Sequence, residues 1–187
     1  MTPLPSQAAA PPDQTTCWTA DVAALRPGAV ARSWLTEPGL LTERVRGRCH
    51  AAFGLRIVGQ RHGLLDAADA RALGVTDLSA FFREIELACG DTALVFAQTL
   101  VPDATLAAEP WLALLGNDAL GPRLASTDGA QREPLEFARL SPGEALFDRA
   151  IRDPGPAPRE LWARRARYRL ATHHLIVQEV FLPDALA

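Results

Sequence analysis

Apolar residues recur at every second position through much of this chain, and the runs that do so end at turn residues. That pattern predicts strands over Glu43 to Ala52, Gly54 to Gln60, Phe81 to Cys89, Ala93 to Val101, Pro134 to Leu140, Trp162 to Ala171 and Leu175 to Leu182. Gly90-Asp91 between two of these runs predicts a hairpin, and Thr172 to His174 predicts another turn. Helical spacing appears in three places. Pro27 to Leu35 stops before Pro38 and Gly39, Leu65 to Leu73 has Asp66 near its start and Gly74 just past its end, and Glu109 to Leu115 stops at Gly116-Asn117. Strands joined by short turns, with helices gathered elsewhere, predict an α+β fold: an antiparallel sheet covered by helices.

Met1 to Thr16 holds four prolines and one charged residue and lacks apolar periodicity, so it is expected to be a mobile tail. Residues 17–187 then form a single domain, of a size that buries a real core without staples. Asp153 to Pro158, with three prolines, is expected to be an exposed connection rather than a domain boundary.

The phase of the strands isolates a few polar residues. In the third strand, Arg83 falls in phase with Ile85, Leu87 and Cys89, while Glu84 and Glu86 point the other way. In the last strand, Glu179 shares a face with Leu175, Val177 and Phe181. Gln98 is in phase with Leu94, Phe96 and Leu100, and Arg164 with Trp162, Ala166 and Tyr168. An unpaired buried charge costs several kcal/mol, so each of these needs a partner or a cavity. Two readings follow. One is a structural Arg83–Glu179 salt bridge; the other is a ligand pocket in which Arg83 holds an anion and Glu179 accepts from a hydroxyl. Arg165, Arg167 and Arg169 line the opposite side and read as a solvated basic strip.

Composition narrows the chemistry. The formal net charge is -3, against the basic surplus of a nucleic-acid footprint, so no nucleic acid is expected as partner. No apolar run approaches the ~18 residues of a membrane span. All 19 basic residues are arginine, which excludes a Schiff-base lysine, a phosphate-loop lysine and a lysine general base. Planar, permanently charged forks suited to carboxylates and phosphates remain. Cys17, Cys49 and Cys89 are far apart and form no CxxC, so they read as reduced, mostly buried thiols. With no apolar secretory segment at the N-terminus, a cytoplasmic protein is expected. His173-His174 reads as an exposed pair at a turn, and no HExxH, HxH, GxGxxG or GxSxG is present, so neither metal nor nucleotide is expected.

One ordered set of fragments is more specific. Trp34-Leu35, Leu41-Thr42-Glu43-Arg44, Arg83-Glu84-Ile85, Thr99-Leu100-Val101-Pro102, Leu120-Gly121, Leu161-Trp162-Ala163-Arg164-Arg165 and Glu179-Val180-Phe181-Leu182-Pro183 together resemble the chorismate pyruvate-lyase family. The likeness runs from about Trp34 to Pro183, most of the chain. It implies a six-stranded antiparallel sheet, a monomer, no metal or organic cofactor, and an internal site closed by flap-like helical segments. The activity implied is removal of pyruvate from chorismate to give 4-hydroxybenzoate for ubiquinone synthesis.

The resemblance also implies residue roles. Arg83 matches the arginine that grips the ring carboxylate, and Glu179 matches the glutamate that hydrogen-bonds the ring hydroxyl. Leu120 would contribute a backbone N–H, and Leu41 an apolar flap contact. Immediately ahead of Thr99 the family often carries an arginine, where this chain has Gln98. If Gln98 lies at the substrate, another cation must meet the enolpyruvyl carboxylate, with Arg164 or Arg44 the candidates. Strong retention of product is expected, since 4-hydroxybenzoate keeps both groups that Arg83 and Glu179 would hold. A sensor domain that binds an aromatic acid without turning it over is the alternative reading.

Overall fold

Alternation becomes sheet wherever both alternate sets of side chains find cover. The computed structural model describes residues 15–152 and 157–187. Its helices are α1 (Ala29–Leu35), α2 (Leu41–Arg48), α3 (Ala67–Leu73), α4 (Asp103–Ala108), α5 (Leu120–Ser126) and α6 (Ala145–Ala150). Its strands are β1 (Phe53–Leu64), β2 (Ser79–Cys89), β3 (Thr92–Pro102), β4 (Gln131–Arg132), β5 (Glu136–Leu140), β6 (Leu161–Leu170) and β7 (His173–Phe181). Single 3-10 turns occur at Val22–Leu25, Pro110–Ala113 and Pro183–Ala185.

Every strand pairing is antiparallel, in the order β1-β2-β3-β7-β6-β4, with β5 also on β6. The sheet thus has seven strands rather than six. The extra strand arises because β4 and β5 share one edge of β6, at Tyr168–Arg169 and Leu161–Arg165 respectively.

Helices cover both faces of this sheet. On one face, Trp34 and Leu35 of α1 and Leu41 and Val45 of α2 pack on Ile85, Leu87, Val95 and Phe181. Leu120 and Leu124 of α5 extend that layer over Phe81, Val101 and Leu175. On the other face, Leu146, Phe147 and Ala150 of α6 bury Phe96, Leu161 and Val180, while Ala70 and Leu73 of α3 bury Phe82, Leu100 and Ile176. Burial of apolar area on two faces is the main stabilising term, at about 25 cal/mol per Å². It also explains why strands such as β2 are buried at almost every position.

Several sequence expectations are corrected. Glu43 to Ala52 is not a strand; most of it is helix α2, followed by a bend. Its buried positions Leu41, Thr42 and Val45 follow helical spacing, and the alternation of arginine with Val45, Gly47 and Cys49 only mimics a period of two. Glu109 to Leu115 shrinks to the 3-10 turn Pro110–Ala113, with Leu114 left 80% exposed. Helices α4, α5 and α6, of six or seven residues, escaped the pattern because one to two turns hold too few apolar repeats. The β6–β7 turn is Ala171-Thr172, with Ala171 left-handed at φ 52, so His173 and His174 lie within β7 and are half-buried rather than exposed.

The cysteine expectation also fails. Cys49 and Cys89 form a disulfide, with Cα atoms 5.3 Å apart, and Cys17 is free and exposed. Forty residues separate the pair in sequence, but β1 runs back along β2 with Phe53 opposite Cys89, which returns the end of α2 to the end of β2. Residues 1–14 of the expected tail and 153–156 of the expected connection lie outside the described residues. Thr16, placed in that tail, donates from Oγ1 to Glu144 Oε2 at 2.8 Å, so described contacts begin before Cys17.

Candidate active site

Cross-strand pairing sets one polar row in the middle of the α1–α2–α5 face. Arg83 stands opposite Thr99, Thr99 opposite Val177, Ala97 opposite Glu179, and Glu179 opposite Arg164. The phase reading therefore holds for Arg83, Glu179 and Arg164, which line one cavity together with Leu41 and Leu120. The ion pair in it differs from the expected one. Arg164 Nε donates to Glu179 Oε2 at 2.6 Å, and Arg83 does not pair with Glu179.

Arg83 is 2% exposed and is held by main chain instead of by a carboxylate. Its Nη2 donates to the carbonyl oxygens of Gly116 and Asp118 at 2.8 and 2.9 Å. Gly116 sits at φ 52, a left-handed conformation that a side chain would strain, and this shapes the loop that presents those carbonyls. Nε of Arg83 is buried and has no hydrogen-bond partner among the described residues. With Nη2 committed to the loop carbonyls, the buried Nε–H is left as a donor for an incoming acceptor such as a carboxylate oxygen. Burial lowers its proton affinity, and the Asp118 carboxylate opposes that shift.

Arg164 joins the row to the helical cover. Its Nη1 donates to the Glu37 carbonyl at 2.7 Å, in the segment between α1 and α2. Above the row, Leu41 opens α2 and Leu120 opens α5; both are buried, at 4% and 5% exposure. The Leu120 N–H belongs to the first turn of α5, where the helix supplies no acceptor. The two covers touch: a Cβ added at Gly121 would lie 3.2 Å from Leu40 Cδ2. The cavity beneath them is about 50 Å³, room for a few waters. Any ring-sized ligand must part these covers to enter.

Gln98 is not in this cavity. It is opposite Glu84 and Gln178, on the other face of the sheet, where its Nε2 donates to Glu84 Oε1 at 2.7 Å. Its place beside Thr99 does not bring it to the substrate cavity, because residues 98 and 99 point to opposite faces. Arg44 is also elsewhere, bound to Glu37 and Ser33 and stacked on Trp34. Of the three alternate arginines of β6, two are not part of a solvated strip. Arg165 is 7% exposed and pairs with Asp69 and Glu136, and Arg167 pairs with Glu133, because α3 covers this face too.

Two lining residues were missed as site residues. Arg132 reaches the cavity from β4 and donates from Nη2 to the Pro38 carbonyl at 3.0 Å; a two-residue strand has no pattern to read. Tyr168 lines the cavity from β6, where its phase alone marks it as apolar cover. Burial chiefly, and then the Glu179 carboxylate, raise its hydroxyl pKa. Among the described residues, no group of three or more His, Cys, Asp or Glu side chains could hold a metal ion.

An antiparallel sheet with helical covers over a buried arginine and an Arg–Glu pair gives a small-molecule site whose donors can receive a compact organic anion. The family model for chorismate lyase matches residues 13–186. A probable chorismate pyruvate-lyase of Nitrosospira multiformis is 36% identical over 159 residues, covering 83% of this chain and 88% of that protein. One of Dechloromonas aromatica is 38% identical over 157 residues, covering 82% and 87%. This chain belongs to the chorismate lyase family and is, with it, a carbon–oxygen lyase. Among solved structures, the effector domain of PhnF from Mycobacterium smegmatis superposes with a TM-score of 0.53 at 15% identity, over 78% of this chain and 90% of that one. That likeness concerns the fold alone.

Proposed function

We propose that this protein converts chorismate to 4-hydroxybenzoate and pyruvate, supplying the aromatic acid for ubiquinone synthesis. The observation that carries the reading is the unpartnered, buried Nε–H of Arg83 in the same covered cavity as the Glu179–Arg164 pair. In the reaction the ether C–O bond between ring and enolpyruvyl group breaks. The hydrogen on the hydroxyl-bearing ring carbon leaves with it and ends on the pyruvate methyl, so the atoms balance without an added reactant. Aromatisation drives the step, and the protein's task is orientation in a dry site. Arg83 grips the ring carboxylate, Glu179 accepts from the ring hydroxyl, Leu120 offers its N–H, and Leu41 closes the apolar side. Arg164 holds Glu179 in place and stands as the cation for the enolpyruvyl carboxylate.

The same contacts hold the product, so 4-hydroxybenzoate is retained until the α2 and α5 covers part, and opening limits turnover. We assign the work to a monomer in the cytoplasm. No described helix is long and apolar enough to cross a membrane.

The test is purified protein with chorismate, following pyruvate and 4-hydroxybenzoate together beside an Arg83→Ala control. Equal release of both, lost in the control, and inhibition by added 4-hydroxybenzoate are expected. Binding of 4-hydroxybenzoate without pyruvate release would overturn the reading in favour of a sensor.

A further inference from the structure

The other face of the sheet carries a second polar row, one residue out of step with the first. Glu84, Gln98, Gln178 and Arg165 stand opposite one another across β2, β3, β7 and β6. Above them lies a cavity of about 250 Å³, lined by Trp18, Phe82 and Leu146 together with Thr16, Asp69 and Arg149, and reached by Arg61 of β1. We propose that this cavity is a second binding site, for a small monocarboxylate with a ring-sized apolar body, and that Arg61 is its anion grip.

Two charges here have no ionic partner among the described residues, Asp66 and Arg61. Glu84 accepts from Gln98 at 2.7 Å and from Arg149 at 3.1 Å. Asp69 accepts from Gln178 at 3.1 Å and from Arg165 at 3.2 Å. Asp66, at the rim, accepts the Asp69 backbone N–H as the cap of α3. Arg61 has no hydrogen bond or ion pair among the described residues, although its Nε is buried. Its guanidinium carbon lies over the Phe82 ring, 4.1 Å from the centroid.

The sequence of β1 makes room for that pose. Gly59, Arg61 and Gly63 share a face, opposite Glu84, Phe82 and Ala80. A Cβ at Gly63 would come within 2.6 Å of Arg61 Nη1, and one at Gly59 within 3.0 Å of Glu84 Oε2. Strand glycines commonly mark such close approaches. The stacked guanidinium has lost its rotamer freedom and keeps its donors, which is the preorganisation an oxyanion site needs. Arg61, Arg149 and Arg165 only balance Glu84, Asp69 and Asp66, so the donors of Arg61 suit a single negative charge and a dianion would leave the cavity strongly negative. Trp18, Phe82 and Leu146 form the apolar part of a lining that also holds Thr16, Gln98 and Gln178, and a ring can rest against that part where a bare ion would gain nothing from it.

Calorimetric titration of the full chain with benzoate separates this site from the first. Two sites are expected in the unaltered protein, one in Arg83→Ala, one in Arg61→Gln and none in the double variant, with inorganic phosphate at least tenfold weaker than benzoate at the Arg61 site. Gly63→Ala displaces the guanidinium and keeps its charge, and is expected to weaken that site at least tenfold. This second variant decides the matter if Arg61→Gln fails to fold. Lyase activity of Arg61→Gln is expected to stay at the unaltered level. Unchanged benzoate stoichiometry and affinity in the folded Arg61 and Gly63 variants, or phosphate binding tighter than benzoate, would overturn the proposal.

Discussion

Replacing Glu179 by glutamine isolates what the buried ion pair contributes. The Arg164 side chain is 2% exposed, and Glu179 lies 2.6 Å from its Nε. Stripping one partner from a buried pair costs about 3–5 kcal/mol, because the other charge is left uncompensated. Two features reduce that here. Arg164 keeps its Nη1 bond to the Glu37 carbonyl, and the Glu179 side chain is 21% exposed. Glutamine also retains an acceptor for Nε–H, though charge-assisted bonds are about twice as strong as neutral ones. The expected loss is therefore about 2 kcal/mol, which for a chain of this length lowers Tm by about 4–8 °C. Urea unfolding with and without 4-hydroxybenzoate measures both consequences, and the product should add less stabilisation to the variant than to the unaltered protein. Combining Glu179→Gln with Arg164→Met should cost less than the sum of the singles, since the interaction is removed only once. A Glu179→Gln protein within about 0.5 kcal/mol of the original, with additive energetics and unchanged product binding, would refute the claim that this pair organises the pocket.

Two further outcomes follow from the structure. Asp69 is the one carboxylate that burial lifts strongly, to about 6 from 3.8, with Asp66 adding to the shift while Arg165 and Gln178 oppose it. The folded state thus holds this proton more tightly than the unfolded chain, so stability from this group falls as pH rises through that window and recovers as pH drops. Asp69→Asn should gain on the unaltered protein by on the order of 3 kcal/mol between about pH 4 and pH 7. Denaturant melts across that range test it, and a pH-independent difference would refute it. The Cys49–Cys89 bond closes a loop spanning a sequence separation of 40, for which chain entropy gives about 4 kcal/mol. Cys49→Ser, or reduction of the unaltered protein, should lower unfolding stability by roughly that amount. A loss under about 1 kcal/mol would mean that β1–β2 pairing already holds the end of α2.

The strand core was legible because β2, β3, β6 and β7 are long and their in-phase apolar residues outnumber the rest. Arg83 and Glu179 were legible as exceptions within that phase. The short covers were not, since α2 mimics a strand through its alternating arginines and α5 has only Leu120 and Leu124 to mark it as amphipathic. The polar partners were the least legible part. Phase places a side chain on a face, but it cannot say that Arg164 lies opposite Glu179 while Arg83 lies opposite Thr99; register does that, and register depends on long-range pairing. The disulfide was hidden for the same reason, as it follows from β1 doubling back along β2.

Gln98 shows what that register does to function. In a sheet open to solvent on one side, the residue next to a pocket arginine would face water, and its identity would matter little. Here both faces are covered, so each strand that sends a residue into the first cavity sends its neighbour into a second buried layer. Arg83 is followed by Glu84, Gln98 precedes Thr99, Gln178 precedes Glu179, and Arg164 is followed by Arg165. A buried polar group must be satisfied, so building one polar row across four strands places the neighbouring positions under the same demand. Those positions are themselves polar and bonded to one another, to Asp69 and to Arg149. Gln98 therefore serves the second row by fixing Glu84, and the charge balance of the first cavity rests on Arg83, Arg132, Arg164 and Glu179 without it.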